Sequence, residues 1–487
     1  MRKTILTLFA TLVCVLPACQ VQEYDPEALS QPTTVQFVSM PLDTRVGFDA
    51  SEGGLYPTLW NAGDRVSIEL LSEYNHALTV TPDVSSDRRT ITFDAGFGET
   101  AATDRFFAFC PAQAVMGRND TCRLWNLLLP DTQTPQEHSP DPKSMLVWAQ
   151  SEPFTSLPST VELQFDHMTS YGRLYLDNLD LGDASLQAIE LVSDAGLVGR
   201  RIFFLADAIK EGVEYKKGDF QMNTPSGTLI LKTSSTQDIW FSCFPVDLSG
   251  TNLTITAKTD KGSISKSVII PNGSKLVPGE VTTIHVDMTG LERVAPVVYQ
   301  LVTSESELAV GDEVIIASFA FHKTTLEPLG DFAIINQQKM NNRAATPVTV
   351  TDGKIQDPTS NIEVFIIEAG AQPGTWAFRA TKKAGYMYAG AEEYNVNQFR
   401  TGINGINVYD NSPIDNFDLR RSWAVSITDG IARIQSQLVS LDPTWSTVLQ
   451  FNVNEAIKET PNLMFSCYRD GKYSYFGSPS LYKKVSE

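Results

Sequence analysis

The sequence predicts an all-β chain of several domains, and three observations lead there. After Gln31, apolar and polar residues alternate with the period of strands in RVSIEL (65–70), RTITFDAG (89–96), LTITAKT (253–259) and VTTIHVDM (281–288). Gly, Pro, Asp and Asn interrupt these runs at short intervals, the punctuation of turns. Sustained helical amphipathicity is almost absent, so the strands must cover one another as β-sandwiches or barrels. At 487 residues and 42% hydrophobic content, the chain is long and apolar enough to build sizeable cores.

The chain opens with Met1, Arg2 and Lys3 ahead of an apolar run from Thr4 to Leu16. A basic tip before an apolar segment too short to span a bilayer is the pattern of a secretory signal. Leu16-Pro17-Ala18-Cys19 resembles the bacterial lipobox, in which the cysteine thiol is acylated and becomes the new N-terminus. Residues 1–18 are therefore expected to be a lipoprotein signal peptide, and Cys19 to carry lipid, palmitate included, that anchors the chain. Residues 19–32 form an acidic tether, with Glu23, Asp25 and Glu27 clustered and no Lys or Arg between Cys19 and Arg45. That string resembles the signal by which Bacteroidetes-type bacteria carry lipoproteins to the outer face of the outer membrane.

Compositional seams at SEPFTSLPST (151–160) and MTGLERVAPVV (288–298) divide the rest into 33–155, 156–291 and 298–487. The net charge of −19 repels phosphate backbones, so no nucleic-acid partner is expected. Six cysteines are too few for a disulfide scaffold in so long a chain. Cys14 leaves with the signal, and Cys243 and Cys467 sit in strand-like runs as small core residues. Cys110 and Cys122 flank PAQAVMGRNDT between two apolar runs, and two readings stay open: a disulfide between neighbouring strands, or two buried thiols.

DTRVGF, LWNAGDRVSIEL, FFAFCPA and LLLPDTQTP, in that order, resemble the N-terminal domain of the Bacteroidetes fimbrillin-like family, the lipoprotein pilins of type V pili. LQFDHMTSYGRLYL (163–176), DIWFSCFPVDLSGTNLTITAKTDKGS (238–263) and LVPGEVTTIHVDM (276–288) resemble that family's second domain. The resemblance covers most of residues 33–290 and implies two transthyretin-like β-sandwiches, 33–155 and 156–291. It also implies a role for Arg45. In the family an early arginine marks where a trypsin-like protease removes the lipid-bearing leader, and LDTR followed by VGF matches that place. Loss of an edge strand through residues 34 to 45 would open a groove for a neighbouring subunit's strand.

The third segment, 298–487, has a plan of its own. TWAFRATKKAGYMY (375–388), SWAVSITDGIARI (422–434) and MFSCYRDGKYSYF (464–476) each open on an aromatic, turn at a glycine and return. Trp376, Trp423 and Phe465 recur at intervals of about 47 and 42 residues, which suggests three hairpin units of a β-trefoil. A sandwich is the alternative, because VTVTDGKIQ (348–356) is a hairpin candidate outside the period. The segment also resembles a β-rich C-terminal module of other Bacteroidetes surface proteins, a resemblance that fixes no activity.

Reaction chemistry has little support. The five histidines stand far apart without metal-ligand spacing, and neither a nucleophile elbow nor a phosphate loop is present, so no catalytic residue, metal or cofactor is expected. His167 reads as a hydrogen-bonded residue at a strand edge. Trp376, Tyr386, Trp423 and Trp445 have two readings, as rings that stack on a glycan and as core packing.

The expected function is a non-catalytic surface lipoprotein. As a fimbrillin-like pilus subunit it would accept a donor strand and present 298–487 as a tip adhesin for a host or glycan ligand. The competing expectation is a monomeric glycan-binding lipoprotein of a nutrient-uptake system, and a third is a hydrolase whose paired carboxylates meet only in space.

Overall fold

A computed structural model describes residues 32–40, 59–71, 77–98, 103–119, 124–204, 225–322, 325, 327–339, 342–382, 385–390, 398–408, 411–437, 446–453, 463–470 and 476–485. Among them regular structure is nearly all β, and no helix is long and apolar enough to cross a membrane.

The first strands are β1 (Thr33–Ser39), β2 (Val66–Leu70), β3 (Ile91–Phe97), β4 (Phe106–Cys110), β5 (Leu124–Leu129), β6 (Val147–Gln150), β7 (Thr160–Leu163) and β8 (Phe165–His167). One sheet runs β7-β1-β3 and the other β8-β6-β4-β2, each continued by a short strand. In β1 alternation buries Val35, Phe37 and Ser39 on one face. Phe37 stacks on Phe93 at 5.0 Å and meets the edge of Phe106 at 4.8 Å.

The edge strand expected through residues 34 to 45 is corrected here. β1 stops at Ser39 and has a neighbour on each side, β3 antiparallel with Phe37 opposite Phe93, and β7 parallel with Phe37 beside Val161. It is an interior strand because β7, from far along the chain, covers the side that would otherwise be open.

The next strands are β9 (Ser170–Asp177), β10 (Leu186–Ser193), β11 (Val198–Phe204), β12 (Thr228–Leu231), β13 (Ile239–Cys243), β14 (Asn252–Thr259), β15 (Gly262–Ile269) and β16 (Val281–Asp287). They form the sheets β13-β9-β16 and β15-β14-β10-β12. Gly172 in β9 lies under the Phe241 ring, and a Cβ there would fall 2.0 Å from Phe241 Cζ. Hydrogen bonding crosses the seam at 151–160. β5 pairs with β11, Thr132–Gln133 pairs with β12, and β7 and β8 from beyond the seam complete the first sandwich. The Gln133 carboxamide donates to Ser242 O at 2.8 Å and accepts from Ser242 N at 2.9 Å inside the second core. β4 serves both cores, with Phe106, Ala108 and Cys110 in the first and Phe107 and Phe109 in the second.

The last strands are β17 (Val298–Leu301), β18 (Glu313–Phe321), β19 (Pro328–Lys339), β20 (Asn342–Val348), β21 (Phe365–Ala369), β22 (Trp376–Ala380), β23 (Gly385–Ala389), β24 (Phe399–Ile403), β25 (Trp423–Thr428), β26 (Ile431–Ser436), β27 (Thr447–Asn452), β28 (Met464–Arg469) and β29 (Ser480–Val485). A short helix, α1 (Phe417–Arg420), precedes β25. β18, β21, β22, β25 and β26 pair in succession, β29 pairs back to β18, and the Ala432 amide donates to Pro479 O at 2.8 Å to close a six-strand ring. Three hairpins, β19–β20, β23–β24 and β27–β28, extend from it.

The three aromatics do not occupy equivalent places in it. Trp376 and Trp423 are cross-strand partners on neighbouring ring strands, while Phe465 lies on the returning strand of the third hairpin, opposite Phe451. Their similar spacing reflects one pairing plus coincidence rather than a repeat.

Arg343 of β20 joins the hairpins. Its guanidinium is buried and donates to Thr401 Oγ1 of β24 at 2.8 Å, to Ile335 O at 3.0 Å and to Glu363 Oε2 at 2.8 Å. The other Glu363 oxygen accepts from the amides of Thr381 and Lys382, both at 2.9 Å. Arg343→Met should destabilise the C-terminal unit by about 3–5 kcal/mol in denaturant titrations, because Glu363 keeps a buried charge without its cation. Adding Glu363→Gln should recover part of that loss.

His167 is buried, and its Nδ1 shares a 2.7 Å hydrogen bond with the Tyr171 hydroxyl. Burial lowers the imidazole from 6.5 to about 4. Between those values the unfolded chain binds a proton that the folded chain refuses. Stability from this group is therefore complete above pH 6.5 and is lost as pH falls toward 4. His167→Gln should flatten the fall in melting temperature measured across that window.

Candidate functional site

The residues singled out from sequence have different fates. Cys19, Arg45, Cys122 and Trp445 lie outside the described residues. Cys110 is a free, buried thiol whose pKa burial raises well above its usual value. Trp423 is wholly buried, donates its indole N–H to Met387 O at 3.2 Å and packs on the Phe399 edge, so it offers no face to a ligand. Trp376 is half-buried against the same core. Tyr386 lines an open depression.

That depression is a groove of about 640 Å³ between β23, the turn after β24, and α1. Asn404-Gly405 makes the turn with both residues at positive φ, 51° and 76°, as a two-residue hairpin of the Asn-Gly type requires. Asn416, also left-handed at φ 53°, precedes α1, which places Phe417, Asp418 and Leu419 along the wall. Arg421 completes it.

A short chain of contacts fixes this wall. The Arg421 guanidinium lies 4.7 Å from the Tyr386 ring centroid, and its Nε donates to Asp418 Oδ1 at 2.9 Å. The Tyr386 hydroxyl donates to Glu368 Oε2 at 2.8 Å, and Glu368 also accepts from Arg379. The Arg379 hydrogen bond, ahead of that from Tyr386, holds Glu368 below the usual carboxylate range, and the bond to Glu368 raises the Tyr386 phenol. Among the described residues no cluster of three or more His, Cys, Asp or Glu is placed to hold a metal ion. The chemistry on offer is ring faces, amides and a prealigned guanidinium, suited to binding.

Sequence reasoning missed Asn404, Asn416 and Arg421. A signal was present in INGINVYDNSPIDNF (403–417), where an Asn-Gly turn leads into a polar stretch too long for a plain hairpin loop.

A second polar cluster fastens this unit to the preceding sandwich. The connection from β20 to β21 donates Ser360 N to Glu190 Oε1 at 2.6 Å and Asn361 Nδ2 to Asp131 Oδ2 at 3.0 Å. Lys258 Nζ stands 3.3 Å from Asp357 Oδ1 and 3.9 Å from Glu190 Oε2. Burial raises the Asp131 carboxyl, and the hydrogen bonds from Asn361 and Thr132 offset part of that rise by favouring its charged form.

No protein-family model and no curated protein matches the chain. Among solved structures, a candidate cell adhesion protein from Bacteroides uniformis shares 13% identity and a TM-score of 0.34, over 53% of this chain and 94% of that one. A second so described, from Bacteroides ovatus, shares 12% and 0.32 over 54% and 96%. A fimbrial protein from Bacteroides ovatus shares 11% and 0.27 over 70% of this chain and 59% of that one. At such scores the architecture rests on the strand pairings themselves.

Proposed function

We propose that the chain is a non-catalytic surface lipoprotein of the fimbrillin-like kind, anchored through Cys19, that becomes a strand acceptor when cut at Arg45. The observation that carries the reading is the position of β1. It is threaded between β3 and β7 with Val35 and Phe37 fully buried, and it ends before Arg45 in the sequence. Removing it would leave two facing strand edges and an apolar slot. Refilling that slot with a donor strand of alternating apolar residues is worth about 1.5–3 kcal/mol for each large side chain buried, besides the backbone hydrogen bonds.

The C-terminal end supports a terminal position in a filament. β16 is followed closely by β17, and Val294 is bridged to Ser263 of β15, so the segment after the second sandwich is engaged within the chain. A subunit so built accepts a strand, donates none, and presents 298–487 outward as the adhesive part. The groove beside Tyr386 favours a second reading, a monomeric glycan-binding lipoprotein that keeps its leader.

Immunogold labelling of the source cells separates the two. Gold confined to filament ends, and lost when Arg45→Gln replaces the native chain, is the expected result. Regular labelling along the shaft excludes the tip role, and labelling of the cell surface alone favours the monomeric reading.

A further inference from the structure

The ring and its three hairpins give the C-terminal unit three comparable connections, each leading from a hairpin back to the ring. The first, from β20 to β21, is spent on the second sandwich, where Ser360 and Asn361 are bonded to Glu190 and Asp131. The second, from β24 to β25, folds into the groove beside Tyr386. Its volume of about 640 Å³ falls within the range of small-ligand sites.

The groove holds hydrogen-bonding groups that have no partner among the described residues. Arg421 commits Nε to Asp418 and its flat face to Tyr386, which leaves both terminal amino groups without a partner among the described residues. The carboxamides of Asn404 and Asn416 have no described hydrogen bond either, and each supplies a donor and an acceptor. Both sit on left-handed backbone, which fixes where their side chains leave the wall. Stacking and the Asp418 bond hold the guanidinium in place before any ligand arrives, which lowers the entropy cost of binding.

Charge decides what kind of ligand fits. Arg421 is balanced by Asp418, and Arg379 by Glu368, so the wall offers directed donors with little net positive charge. An anion would gain little here and would meet a chain of net charge −19. Hydroxyl groups, each donor and acceptor at once, match the mixed array of guanidinium, carboxylate and carboxamides. The half-buried Phe417 ring adds an apolar surface for C–H groups.

We propose that the groove lined by Tyr386, Asn404, Asn416, Phe417, Asp418 and Arg421 is a binding subsite for a neutral saccharide. The proposal deepens the adhesive role given to residues 298–487 and rests on that reading for its biological setting only.

The test uses the lipid-free chain from Gln20 onward on an array of neutral trisaccharides built from glucose, galactose, mannose or N-acetylglucosamine, with uronate and sulfated counterparts. Hits are then titrated calorimetrically at low and high salt. At least one neutral trisaccharide should bind with little dependence on salt. Arg421→Lys, which cannot keep the fork and the Asp418 bond together, should weaken it about tenfold or more, roughly 1.4 kcal/mol. Asn404→Gly, which keeps the positive φ and removes only the carboxamide, should weaken it in the same direction with an unchanged melting temperature. Absence of any neutral hit, hits restricted to charged sugars with steep salt dependence, or affinity unmoved by both substitutions would overturn the proposal. Tip labelling by immunogold is independent of all these outcomes, so a failed subsite leaves the filament reading standing.

Discussion

The first sandwich depends on one strand arriving from the very start of the described chain. β1 supplies Phe37 to the centre of an aromatic cluster with Phe93, Phe97 and Phe106, and it supplies backbone partners to strands on both its sides. A strand in that position is required twice, once for core packing and once for the ladder. In sequence it precedes every other described strand, and Arg45 lies on its C-terminal side. A core that takes an essential strand from its first described segment can be completed by a strand of the same pattern from another molecule.

The remainder of the molecule is fastened in a graded way. β4 puts alternate side chains into two cores, so the two sandwiches cannot separate without opening both. The attachment of the C-terminal unit is polar instead, with Lys258 among the carboxylates of Glu190 and Asp357. Within that unit Arg343 and Glu363 fix how the hairpins meet, a use of a buried pair for arrangement more than for net stability.

Much of the fold was legible because half-buried strands alternate. Thr-Thr-Val-Gln-Phe-Val-Ser and Asn-Leu-Thr-Ile-Thr-Ala-Lys-Thr are β1 and β14, with Val35 and Phe37, and Leu253, Ile255 and Ala257, on the buried face. Phe-Phe-Ala-Phe-Cys does not alternate, since both its faces are covered, and its double duty was hidden for that reason. The polar seam at 151–160 marks a surface loop, whereas the strand pairings on its two sides are long-range and leave no local trace. Trp376 and Trp423 were misread because a cross-strand pair and a structural repeat can have the same spacing. Of the groove, only Tyr386 was legible. Asn404, Asn416 and Arg421 become a set only after the chain has turned back on itself, although the Asn-Gly turn announced where that happens.

The account turns on whether β1 is replaceable, and strand exchange in solution measures this most directly. A chain beginning at Val46 is mixed with a synthetic peptide spanning residues 32–40, and the melting temperature and amide protection of β3 and β7 are followed. The account expects the shortened chain to melt below the full one, to bind the peptide with recovery of protection on both flanking strands, and to refuse a peptide carrying Phe37→Ser. A shortened chain that melts with the full-length protein and ignores the peptide would contradict it.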